Sequence, residues 1–95
     1  MENIGKVKKI CQERQGETAA GFWCSMDVVV TVAGDNDRDV ALTFFGERKV
    51  EKARNLKPGD MIQVMATVRS KPSQDGERWF TSVDVASMVP LQRQQ

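Results

Sequence analysis

Apolar and polar residues alternate with period two along most of the chain, the signature of strands with one buried face. The clearest run is FWCSMDVVVTVA, Phe22 to Ala33, which sets Phe22, Cys24, Met26, Val28, Val30 and Val32 on one side. Trp23, Ser25, Asp27, Val29 and Thr31 stand opposite, on a more polar face that carries an indole. After a turn-rich stretch, Gly34 to Asp39, a second alternation places Val40, Leu42 and Phe44 against Ala41, Thr43 and Phe45, so the two runs form a hairpin. From Met61 to Lys71, Ile62, Val64, Ala66 and Val68 share a face, with Gln63, Met65, Thr67 and Arg69 on the other. The polar loop Pro72 to Glu77 leads into a last strand from Arg78 to Val89. Within it Trp79 and Phe80 are adjacent and must point to opposite faces, so one of the two is expected in the core. Phe22 and Phe44 are expected there as well. At the other end, Ile4, Val7 and Ile10 among Lys6, Lys8 and Lys9 predict a strand over Asn3 to Glu13, followed by a polar loop holding Gly16 and Gly21.

One segment breaks the period. In ERKVEKARNL, Val50, Ala53 and Leu56 recur at helical spacing among charged residues, and Lys57-Pro58-Gly59-Asp60 ends the helix. The order is three strands, a helix and two strands, which is the element order of the OB-fold barrel. The expectation is all-β: a five-stranded OB-fold Greek-key barrel with one short helix between strands 3 and 4. Residues 1–90 form this single domain and residues 91–95 a flexible tail.

Composition narrows the chemistry. Ninety-five residues, 40% hydrophobic and 28% charged, suit one folded domain. Histidine is absent, which removes the commonest general base and most zinc sites, and no cofactor or enzymatic activity is expected. Cys11 and Cys24 are too few for a disulfide framework and read as small core residues of a cytoplasmic protein. They would face each other if the first hairpin centres on the Gly16 to Gly21 loop. Asp35-x-Asp37-x-Asp39 starts like a calcium loop, but Val40 and Gly46 replace the glycine and glutamate such a loop needs. No apolar run suits a membrane span or a signal peptide, so no membrane partner is expected. With a formal net charge of +1, any electrostatic site must be a local patch.

The stretch from Val40 to Val85 carries Phe-Phe-Gly, a charged helix, LKPGDMIQVMATVRSK, a loop with Asp75-Gly76 and RWFTSVDV. In that order these motifs resemble the bacterial single-stranded DNA-binding protein family and its relative, primosomal replication protein N. Gly5-Lys6-Val7 and Gly21-Phe22-Trp23 also look like a small bacterial OB family of uncharacterised function. The resemblance implies single-stranded DNA (or RNA) on the barrel face, in replication, repair or recombination. Replication or recombination proteins are its implied partners, and a homodimer or homotetramer its assembly. Phe45 matches a base-stacking aromatic of the family. Asp39 and Pro72 stand near positions where the family has tryptophans, and Glu47 stands where it has a basic residue, which shifts the expected stacking to Trp23 and Trp79. Lys6, Lys8, Arg14, Arg69, Lys71 and Arg78 are the expected phosphate contacts. The helix charges Arg48, Lys49, Lys52 and Arg54 read as a solvent-facing side. The alternative is a barrel for protein docking or self-association that does not bind nucleic acid.

Overall fold

The computed structural model describes residues 2–32 and 38–91. The turn aspartates Asp35 and Asp37 and the tail residues 92–95 lie outside the described residues. The chain forms β1 (Glu2–Ile10), β2 (Arg14–Thr18), β3 (Gly21–Val32), β4 (Arg38–Phe45), α1 (Glu47–Arg54), β5 (Met61–Pro72) and β6 (Trp79–Pro90). The strands make one sheet in the order β1-β5-β6-β4-β3-β2, and β1 pairs with β3 as well, so the sheet closes on itself as a ring. No described helix is long and apolar enough to cross a membrane.

The sheet holds six strands rather than the expected five. The additional one is β2, which lies in the segment read as a loop and pairs with β3 from Arg14↔Ser25 to Thr18↔Gly21. Its residues are polar and mostly exposed on both sides, so it carries no apolar alternation. Backbone pairing and the turn hold it, with the Thr18 hydroxyl accepting the Ala20 N–H at 3.2 Å. Register also corrects the cysteines: Cys24 lies opposite Gln15, not Cys11. The Cys11 N–H instead donates to the Asp27 carbonyl at 2.9 Å. Both thiols are free. Burial of Cys24, with Glu47 beside it, pushes its thiol pKa up, which disfavours the reactive thiolate.

The inner face of the ring is the core, built from alternate residues as the pattern requires. Val28, Leu42, Val50 and Ile62 are fully enclosed, with Phe44 packed among them. Burying a side chain of this size contributes about 1.5–3 kcal/mol. Helix α1 packs against β3 and β4 with Val50 and Ala53 buried, and Leu56 follows them inward. Gly46 makes the turn into the helix at φ 97°, a conformation that favours glycine. On the side of α1 facing the β1–β2 link, Arg54 grips Glu13 through Nε and Nη2 at 2.7 and 2.9 Å. The guanidinium, with Gln15 adding a second hydrogen bond, holds the Glu13 carboxyl at a pKa of about 2.

Two expected core positions are outside: Phe22, and the one of Trp79 and Phe80 that was to point inward, since both rings of that pair are exposed. Phe22 is 58% exposed, and Trp79 and Phe80 are 64% and 61% exposed. The reason is where the ring ends. Strand β1 covers β3 only from Val28 to Val32 and β5 only from Met61 to Met65. Phe22 therefore sits on the β2–β3 hairpin outside the enclosed part. The β5–β6 hairpin continues past the ring as a two-stranded arm whose inward-pattern residue Val68 is exposed too.

Candidate functional site

The outer faces of the strands meet in a cleft between the β2–β3 hairpin and the β5–β6 arm. On this face Gly16 stands opposite Trp23, Arg14 opposite Ser25, and Ser25 opposite Phe45. The next row runs from Asp27 to Thr43, on to Asp84 and then to Thr67. Trp23, Ser25, Thr43 and Phe45, with Arg14 and Lys49 beside them and Arg69 and Lys71 on the arm, line an open volume of about 700 Å³. Ser25, small and buried, keeps the floor low between the two aromatics.

Trp23 and Phe45 form a stacked pair, with ring centroids 6.4 Å apart and planes 11° from parallel. Trp23 is half-buried, and Phe45 is 57% exposed. The indole is fixed from below by Gly16: a Cβ added there would stand 2.7 Å from three indole atoms, Cε2, Cζ2 and Nε1. Glycine is needed here for close approach, since any side chain would push the ring off its seat. Phe22, Thr18 and Ala20 extend the apolar end in an adjoining depression of about 490 Å³ that Trp23 and Phe45 also line.

The charges of the cleft are of two kinds. Arg14 is held by Asp27, its Nη2 3.2 Å from Oδ2, and Asp27 also accepts the Thr43 hydroxyl at 3.0 Å. Arg69 Nε lies 3.1 Å from Asp84 Oδ2. Exposed pairs of this kind contribute only about 0.2–1 kcal/mol, so an anionic ligand can exchange with them. Lys49 and Lys71 line the same cleft and make no ion pair among the described residues. The cleft thus offers flat apolar faces at one end and cations along its walls.

Of the residues expected from sequence, Trp23, Phe45, Arg14, Arg69 and Lys71 come together here. Four do not. Lys6 pairs with Thr31, six residues along β3 from Ser25. Lys8 forms a 2.6 Å ion pair with Asp39; that pairing, with a hydrogen bond from Thr31, holds the Asp39 carboxyl below its ordinary range. Arg78 precedes β6 at the tip of the arm. Trp79 stands opposite Pro72, whereas Phe80 stands opposite Lys71; cross-strand partners share a face. Phe80 is therefore on the cleft side of the arm with Arg69 and Lys71, and Trp79 is on the other. Sequence reasoning missed Lys49, which looked like a solvent-facing helix charge, and Phe80 and Phe22. For Phe80 the signal was available: it has the parity of Ser82 and Asp84 in an unbroken β6 run.

Residues 2–88 match the model of a family described as Domain of unknown function (DUF3127), and the chain belongs to that family. No curated protein matches its sequence. Among solved structures, the crystal structure of a small single-stranded DNA-binding protein from Streptomyces coelicolor is similar, at 15% sequence identity and a TM-score of 0.52. The match covers 95% of this chain and 91% of that one. The likeness is one of fold: mostly strands, one short helix and an OB-like arrangement.

Proposed function

We propose that this DUF3127 protein is a non-catalytic binder of single-stranded DNA, akin to bacterial single-stranded DNA-binding proteins and primosomal replication protein N, acting in cytoplasmic replication, repair or recombination. The observation that carries the reading is the stacked Trp23–Phe45 pair at the head of a cleft walled by Arg14, Lys49, Arg69 and Lys71. Bases have π-faces that stack on such rings, at about 1–3 kcal/mol per base, and phosphates follow the cations. The small single-stranded DNA-binding protein that shares the fold supports the same reading. Because the chain's formal net charge is only +1, stacking rather than a bulk cationic field carries much of the affinity.

The test is a fluorescence titration with oligo(dT) at low and moderate salt, using Trp79→Phe so that Trp23 is the sole indole. Quenching that weakens with salt and is reduced by Phe45→Ala is expected. An unchanged spectrum at both salts overturns the proposal. A second reading, self-association, rests on a different surface. Ile4, Met61, Met65 and Val89 are exposed on the outer side of β1, β5 and β6, where Ile4 faces Gln63 and Gln63 faces Val89. A dimer or tetramer through this patch would multiply a modest cleft affinity. Light scattering of the wild type and Met65→Glu checks it: a mass that falls to the monomer in the variant supports it, and a monomeric wild type removes it.

A further inference from the structure

The cleft does not end at its aromatic head. Lys49 and Val85, which line the cleft, also line a second groove of about 220 Å³ between α1 and β6, whose walls include Arg48, Lys52 and Met88. The two depressions are therefore contiguous through shared side chains. Helix α1 separates its charges by face. Glu47, Glu51 and Arg54 follow one another at spacings of four and three, and Glu47 and Arg54 engage each other on the side of Glu13. Arg48 and Lys52, four apart, stand with Lys49 on the groove side. None of these three cations makes an ion pair among the described residues, in contrast to Arg14 and Arg69 in the cleft.

We infer that the groove beside α1 is the second segment of the DNA track: a strand stacked at Trp23 and Phe45 passes Lys49 and lays its next phosphates against Arg48 and Lys52. This inference rests on the single-stranded DNA reading and adds a direction to it. Bases are gripped by the rings, and the backbone beside α1 by cations that make no ion pair among the described residues. Continuity with the cleft favours nucleic acid over an acidic peptide, the other ligand that a cation-rimmed groove with an apolar floor would suit.

The test compares the full chain with Arg48→Gln/Lys52→Gln. Both residues are exposed and make no ion pair among the described residues, so the variant is expected to melt like the wild type. Titrations use oligo(dT) of about six and about sixteen nucleotides, spanning the site sizes of such folds. On the longer oligonucleotide, loss of two phosphate contacts is expected to flatten the slope of log K against log salt by about 1.4. The shorter one, filled by the aromatic cleft, should show the same slope for both proteins. The charge-preserving Arg48→Lys/Lys52→Arg variant should restore the steep slope. Equal slopes on the long oligonucleotide for wild type and the glutamine variant overturn the track along α1 and leave the aromatic cleft standing. Those equal slopes, with loss of oligoglutamate binding in the variant, reassign the groove to acidic peptides. Absence of wild-type quenching by either length overturns both the track and the reading beneath it.

Discussion

Two pairs of adjacent aromatics meet opposite fates. In β4, Phe44 is 1% exposed and its neighbour Phe45 57%. In β6, Trp79 and Phe80 are 64% and 61% exposed. Both pairs obey the same rule, that successive side chains point to opposite faces, and the difference lies in what covers the strand. Phe44, opposite Met26 and just past the β1–β3 closure, lies where α1 packs against β3 and β4; the Trp79–Phe80 pair sits where the arm has outrun β1. Alternation assigns a face, whereas burial needs a second layer over it. An exposed ring in a covered strand rests on a packed core, whereas an exposed ring on the two-stranded arm has no such layer beneath it.

The strongest way to break this contrast is Phe44→Ala. The ring is enclosed on all sides, so its removal leaves a cavity and is expected to destabilise the fold by about 3–5 kcal/mol, read as a lowered denaturant midpoint. Phe45→Ala, one residue on, should leave stability within about 0.5 kcal/mol. It should weaken oligo(dT) binding by about 1–3 kcal/mol, roughly 5- to 150-fold. Equal loss of stability in the two variants would contradict the division of β4 into a core face and a ligand face.

Gly16→Ala acts on the same platform from beneath. The new Cβ meets the indole at 2.7 Å, and Trp23 must tilt or slide from its stacked position against Phe45. A shifted emission maximum and weaker oligonucleotide binding are expected, with the melting temperature little changed; an unshifted spectrum with full affinity would show that the indole's seat is immaterial. On the arm the effects are smaller. Phe80→Ala should weaken binding of an oligonucleotide long enough to reach Lys71, and Trp79→Ala should not, because the two rings lie on opposite faces. Neither should change stability by more than about 0.5 kcal/mol.

The legible part of the molecule was whatever had a covered face. The patterns in β3, β4 and the first half of β5 placed Val28, Leu42, Phe44 and Ile62 inside, and helical spacing found Val50, Ala53 and Leu56. Strand β2 was hidden because residues exposed on both sides have no reason to alternate. Phe22, Val68 and Trp79 were misplaced or left undecided because strand parity says nothing about where a neighbouring strand stops. In the cleft, Trp23 and Phe45 were marked by the more polar faces of their strands, Phe45 also by the family resemblance, and Arg14, Arg69 and Lys71 as basic residues of the first loop and the last hairpin. Lys49 was not, since its role depends on α1 packing beside β6, a long-range fact absent from local spacing. Lys6 and Lys8 erred the other way: local basic density marked them, but register carried them toward Thr31 and Asp39.

The smallest effect concerns acid, and it distinguishes the braced side of the molecule from the arm. Glu13 ties the β1–β2 link to α1 through Arg54, and its carboxyl is held at a pKa of about 2, against an ordinary value of 4.5. A carboxyl depressed on folding stabilises the native state fully above its unfolded pKa, and the contribution is lost as pH falls through the folded one. Between pH 4.5 and about 2, therefore, the wild type should lose the stability that this pair supplies. Glu13→Gln lacks the titrating group, so it should melt below the wild type at pH 6 and approach it as pH falls toward 2. Trp79→Ala, on the arm and remote from Glu13 in the sheet, should track the wild type through the same range. A constant melting difference between Glu13→Gln and wild type from pH 6 to pH 2 would mean that the Arg54 contact does not brace the β2–β3 side on which Trp23 is seated.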